Sequence, residues 1–306
     1  MKKSIFLSFI LCLCLIACIP QQAMAQKQSR MEKLLRYLND NDADKWQKNR
    51  EKLDDETKAY YAEDLSLMDV LNDLWNRQSE QAATLYFGCY EKAAQSNFPG
   101  ICEGEKIPLS QIRDKADQSI INLLEASKDK IPFSRALLDS IHATEYPVDS
   151  AMLQRLQNIR EVALLEGMLT PPTPIIYQTY VKEYPNGKFI AQVNASENVR
   201  LYQLVKTAPT PANFKAFFED PEMQKYYQDR GPRPYLAEVR TLYDDFLFQR
   251  IDSLKKEGNA TAIRQIIDDY KNTPYLSTGA RTHLNDLESV SYTHLRAHGH
   301  AQISYA

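Results

Sequence analysis

The chain has 306 residues, a formal charge of −3, 25% charged residues and only 9 glycines. That length accommodates one or two domains with a substantial core, and an acidic chain without a Lys/Arg block excludes nucleic acid or an anionic membrane surface as an expected partner. Abundant Leu, Ala, Glu, Lys and Gln, with little alternation of Val, Ile and Thr, predict an all-α fold.

Residues 1–25 read as an export signal. Lys2 and Lys3 form a short positive start, Ile5 to Ile19 an apolar stretch too short for a comfortable membrane span, and Pro20 breaks it. Ala23-Met24-Ala25 before Gln26 is a small-residue cleavage site. Leu15-Ile16-Ala17-Cys18 also resembles a lipobox, which would make Cys18 a lipidated N-terminus. Both readings stay open, and both place the protein in the periplasm or outer membrane.

A helical region is expected over 26–142. Met31, Leu34, Leu35 and Leu38 fall at i, i+3, i+4 and i+7, the spacing of an amphipathic helix. A second helix is expected from about Trp46 to Tyr61. A third carries Leu67, Leu71, Leu74 and Trp75, and continues or restarts through Ala82, Tyr86 and Cys89. Pro108 with Ser110 announces another, burying Ile120, Ile121, Leu123 and Leu124. Ser134 is expected to start the next, before Leu137 and Ile141. Asp149 caps a helix with the stripe Met152, Leu156, Ile159 and Leu164.

Beyond Pro171 the punctuation becomes regular. Thr173-Pro174, Thr210-Pro211 and Asp220-Pro221 each pair a capping side chain with proline at the first helical position. Tyr184-Pro185-Asn186-Gly187 is a turn, Gly231-Pro232-Arg233-Pro234 a break, and Gly258 a helix end. Long helices are expected over Phe189–Val205 and Tyr235–Lys256, with a final one over Tyr275–Leu287. Three segments align: EYPNGKFIAQVNA from Glu183, GPRPYLAEVRT from Gly231 and DYKNTPYLSTGAR from Asp269. Their anchor aromatics Phe189, Tyr235 and Tyr275 are 46 and 40 residues apart, and a weaker copy around Tyr146 precedes the Tyr184 copy by 38.

Spacing near forty with helix–turn–helix units is a solenoid signature. The Y-P-N-x-x-(F/Y)-(I/L) pattern resembles the tetratricopeptide-type repeats of bacterial envelope proteins, such as the outer-membrane assembly lipoproteins and the Tol–Pal coordinator. It covers about residues 143–288. The resemblance implies a TPR-like α-solenoid in which Tyr146, Tyr184, Phe189, Tyr235, Tyr270 and Tyr275 pack between neighbouring helices. The full consensus of that family is absent here.

Residues Val290 to Ala306 resemble translated sequencing adapter: Val-Ser-Tyr-Thr-His-Leu-Arg-Ala-His matches a transposase adapter, and Ile-Ser-Tyr-Ala a flow-cell adapter. The stretch 289–306 is therefore expected to be a non-native, disordered tail. Its His294, His298 and His300 then carry no metal chemistry, and only the isolated His142 and His283 remain. Without Lys2, Lys3 and Arg296 the basic residues fall from 37 to 34 against 40 acidic ones, a net charge of −6.

Cys89 and Cys102 flank a helix end and a Pro99-Gly100 turn, and an oxidising envelope would let them form a structural disulfide. Asp40, Asp42, Asp44 and Glu51 imitate an EF-hand, but Lys45 stands where the loop needs glycine, so the stretch is expected to be an acidic interhelical loop whose aspartates cap the Trp46 helix. No nucleotide-binding, serine-hydrolase, zinc-protease or C-x-x-C motif occurs in the mature stretch.

Together these features predict an exported, non-catalytic helical-repeat scaffold that binds another envelope protein or peptide, without cofactor or metal. Two alternatives stay open. The chain is the helical N-terminal part of a larger envelope enzyme or ligand-binding protein, or it is a glycan-binding helical lipoprotein, which would need clustered exposed tyrosines.

Overall fold

The computed structural model describes residues 23–98, 101, 108–169 and 172–289. Cys18, Cys102 and the 290–306 segment lie outside them. Among the described residues the regular structure is all helical, and no described helix is long and apolar enough to cross a membrane. Two compact units divide between Ala163 and Leu164. The expected boundary at 142/143 lies 21 residues before this division, and Tyr146, Met152 and Leu156 belong to the first unit's core.

In the first unit, α1 (23–39) buries Met31, Leu34, Leu35 and Leu38 completely. The single helix expected over Trp46–Tyr61 is instead two, α2 (Ala43–Glu51) and α3 (Asp55–Tyr60). Asp54 causes the break. Its backbone is extended and its carboxylate accepts the Thr57 N–H at 2.8 Å, a bond a mid-helix aspartate could not make. The same device starts α2, where the Asp42 carboxylate accepts the Lys45 N–H at 3.1 Å. Glu51, the last residue of the EF-hand imitation, accepts from Gln47 at 2.7 Å.

Helices α4 (Ala62–Arg77) and α5 (Glu80–Ala94) form a hairpin joined by two residues. Gln78 takes the left-handed conformation, φ 51° and ψ 46°, letting its own N–H and that of Ser79 reach the Asp73 carbonyl. The Ser79 hydroxyl then accepts from Ala82 N–H at 3.2 Å and starts α5. Helices α6 (Leu109–Ala126) and α7 (Lys130–His142) pack on this hairpin. Ser134, expected to start α7, sits inside it and turns its hydroxyl back onto the Lys130 and Ile131 carbonyls. Pro132 in the first turn, where no amide partner is needed, allows the earlier start. Helix α8 (Ser150–Leu169) follows Asp149 as expected and contains the boundary between the units.

The second unit is built on α10 (Ile190–Thr207), which packs against α9 (Pro174–Glu183), α11 (Pro211–Glu219), α12 (Pro221–Tyr227) and α13 (Leu236–Lys256). Helix α14 (Ala260–Tyr270) packs on α13, and α15 spans 278–289. All three cap–proline pairs are in place: Thr173, Thr210 and Asp220 accept from Ile176, Asn213 and Met223 N–H groups at 3.4, 3.2 and 2.8 Å. Gly258, at φ +70°, ends α13. The last helix starts later than expected. Ser277 caps it by accepting from Ala280 N–H at 3.1 Å, which leaves Tyr275 on the preceding turn.

Candidate functional site

The buried face of α10 carries three polar residues among its apolar ones: Asn194, Glu197 and Asn198, each at most 2% exposed. Every one is engaged. Asn194 accepts from the Tyr177 hydroxyl at 2.9 Å and donates to the Ile190 carbonyl at 2.7 Å. Glu197 is gripped by both arms of Arg200 at 2.6 and 2.7 Å. Asn198 donates to the Pro234 carbonyl at 3.2 Å and accepts from Arg233 Nε at 2.7 Å. This last residue fixes the Gly231–Tyr235 loop against the helix.

Arg233 lies with its guanidinium 3.9 Å from the Phe217 ring centroid, and its Nη1 donates to the Phe217 carbonyl. That carbonyl is one of the orphan acceptors in the last turn of α11, and Gln224 donates to its neighbour Phe218 at 2.8 Å. Arg233 Nη2 is buried with no hydrogen-bond partner, and burial pulls the pKa of the group below that of an ordinary guanidinium.

Arg233 and Phe218 line an open cleft of about 760 Å³, whose other walls are α12, the start of α13 and the Pro274-Tyr275 turn. Its apolar lining includes Phe218, Met223, Pro232 and Leu236. Tyr275 lies flat on Phe218, with centroids 4.3 Å apart and planes at 7°, and its hydroxyl donates to Glu219. A cleft of this size, mostly apolar with a few polar groups, has the character of a ligand or peptide site.

The first unit has its own feature. Tyr146 inserts edge-on among Tyr86, Phe87 and Tyr90, at 5.6, 4.9 and 5.1 Å, and its hydroxyl donates to the Asp117 carboxylate. The Tyr86 hydroxyl stands 3.4 Å away. Burial, opposed by the Tyr146 bond and by Arg113, pushes the Asp117 carboxyl up to about 6. Asp117 borders a cleft of about 560 Å³ with Arg113, Asp149 and Arg155. A second buried carboxyl, Asp64, is likewise raised to about 6 by burial, although Ser96 donates to it at 2.8 Å. A carboxyl poised near neutrality can store a proton. Tyr146, the donor to Asp117, is itself pushed far above an ordinary phenol by burial.

The expected repeat aromatics do not converge on one place. Tyr146 is core. Tyr184 lies against Tyr180 at 5.5 Å, and the Phe189 N–H donates to the Tyr180 hydroxyl at 3.1 Å. Tyr270 sits 6.2 Å from Tyr243. Tyr235 departs from the packing implied for it: it is 37% exposed, left-handed at φ 64°, and stacked on Tyr202 at 4.3 Å. Phe189, Tyr235 and Tyr275 do share a setting, each on a turn just before a helix. Cys89 is half-buried, unbridged among the described residues, with its thiol 3.6 Å from the Ser66 hydroxyl; its expected partner Cys102 lies outside them. Among the described residues no group of three or more His, Cys, Asp and Glu side chains could hold a metal ion.

Sequence reasoning missed Arg233 and the Asn194/Glu197/Asn198 face. Their signal was present: three polar residues at i, i+3 and i+4 on the same face as Val193 and Leu201. The chain matches no family model, no curated protein and no solved structure.

Proposed function

We propose that this chain is an exported cell-envelope protein, a TPR-like helical scaffold that binds another envelope protein or a peptide without catalysis. Export to the periplasm or outer membrane rests on the pattern of residues 1–25, with the membrane reached only through a lipid on Cys18. The binding role rests on one observation: the open cleft of the second unit, with Tyr275 stacked on Phe218 and Arg233 locked into its wall by Asn198. Rigid aromatic and arginine side chains around an apolar floor are what peptide anchors use. Selection from a random peptide library against the purified full chain tests this. Enrichment of a short consensus supports the role, and repeated selection without any consensus removes it. Fusing the first thirty or so residues to a reporter active only after export checks the location.

A second reading is favoured by Tyr235. An exposed tyrosine stacked on Tyr202, whose hydroxyl donates to Glu238 at 2.7 Å, offers a flat face to a sugar ring. Binding of soluble glycans that Tyr235→Ala abolishes would favour this glycan-binding reading over peptide binding.

A further inference from the structure

We infer that the cleft of the second unit takes an acidic peptide segment, with carboxylates spaced between apolar or aromatic residues; the inference rests on the peptide-binding reading above. On a chain whose net charge is −3, three cations line this cleft, Lys225, Arg233 and Arg240, and no Asp or Glu lines it. Four cations elsewhere in the second unit are held by carboxylates: Arg200 by Glu197, Lys215 by Glu219, Lys255 by Asp252, and Lys271 by Asp268 and Glu288 at 3.0 and 2.9 Å. Among the described residues none of the three cleft cations has a carboxylate within 4 Å.

The acids that act on Arg233 from outside the lining are Asp220 and Glu197. Neither comes within 4 Å of Arg233, and each is bonded elsewhere. Asp220 accepts the Met223 N–H at 2.8 Å as the cap of α12, and Glu197 is forked by Arg200. Tyr275 keeps Glu219 occupied, and Glu219 does not line the cleft. The lining itself therefore carries three cations and no carboxylate, a local excess of positive charge for an incoming anion. Lys225 and Arg240 are exposed at the rim, where they meet it directly, and Arg233 acts from within the wall. Pro232, Leu236 and Tyr275, all at least partly exposed, supply surface for an apolar side chain between two acidic ones. Charges that meet across a rim govern encounter and selectivity more than they govern total affinity.

The test uses the full chain and two labelled peptides of equal length, one alternating Glu with Leu and Tyr, the other carrying Lys at each Glu position. Fluorescence anisotropy reads binding at low and high salt. The glutamate peptide is expected to bind at least about tenfold more tightly, to weaken as salt rises, and to lose that advantage in the K225E/R240E double variant. Both substituted residues are exposed, and circular dichroism checks that the fold is kept. Equal binding of the two peptides, lost together on Tyr275→Ala, would overturn the charge inference and leave the peptide-binding reading intact. An acidic preference that survives K225E/R240E would also overturn it. If neither peptide binds while a sulfated polysaccharide or an anionic vesicle does, the cleft serves a polyanion and the inference fails. Absence of binding to any of these probes removes the inference and the peptide-binding reading together.

Discussion

Replacing Tyr146 with phenylalanine removes a single oxygen from a ring wedged among Tyr86, Phe87 and Tyr90, so the packing survives while the bond to Asp117 and the weaker 3.4 Å contact with the Tyr86 hydroxyl are lost. Both partners are buried, Tyr146 at 5% and Asp117 at 8% exposure. A hydrogen bond to a charged acceptor contributes about 1.5–3 kcal/mol, against about 0.5–1.5 kcal/mol for a neutral pair. The Asp117 carboxyl titrates at about 6 in the fold and near 3.9 in the unfolded chain. Between these values the folded state binds the extra proton, so the wild-type fold loses stability as pH rises through that window and levels off above about 7. The variant should therefore cost about 2–3 kcal/mol at about pH 8, where Asp117 is ionised, and only about 1 kcal/mol at about pH 5. Its Asp117 carboxyl moves further up, so the stability loss continues to higher pH than in wild type. Urea unfolding of both proteins at the two pH values measures this. Asp117→Asn supplies the cycle: in that background Tyr146→Phe should cost about 1 kcal/mol at either pH. An equal cost at both pH values, or none at about pH 8, would refute the reasoning.

Asp64 has the same sign, so Asp64→Asn should stabilise the fold by up to about 2 kcal/mol at about pH 8 and do little at about pH 5, measured by thermal melting. Gln78→Gly relieves a left-handed residue whose backbone bonds to Asp73 need no side chain, and should raise stability by about 0.5–1 kcal/mol. Asp220→Ala deletes the cap of α12 and should lose about 1 kcal/mol in urea titrations. Calcium should leave the melting temperature unchanged, because Asp42 caps α2, Glu51 holds Gln47, and no glycine shapes the loop.

Local rules carried much of the fold. The apolar spacing of Met31, Leu34, Leu35 and Leu38 and the three cap–proline pairs are legible because period, cap and proline each act within one turn of chain. The helix that broke at Asp54 shows the limit. Aspartate in a run of charges reads as a solvated face, and only the bond to Thr57 reveals that it caps. Ser134 shows the converse, a residue that looks like a cap and is buried inside a helix because Pro132 moved the start upstream. The cleft was not legible at all. Lys225, Arg233, Arg240 and Tyr275 are scattered over some fifty positions of an acidic chain, and only the packing of α10 with its neighbours gathers them. The net charge pointed away from an anionic partner, and it could not register a local excess of the opposite sign.

The central claim, that the second unit's cleft is where this protein binds its partner, is tested most directly by hydrogen exchange of the full chain with and without a library-selected peptide. The account predicts slowed exchange concentrated at residues 231–236 and 274–276, around Arg233 and Tyr275, with the first unit unchanged. Protection confined to the first unit, around Asp117 and Arg155, would contradict it.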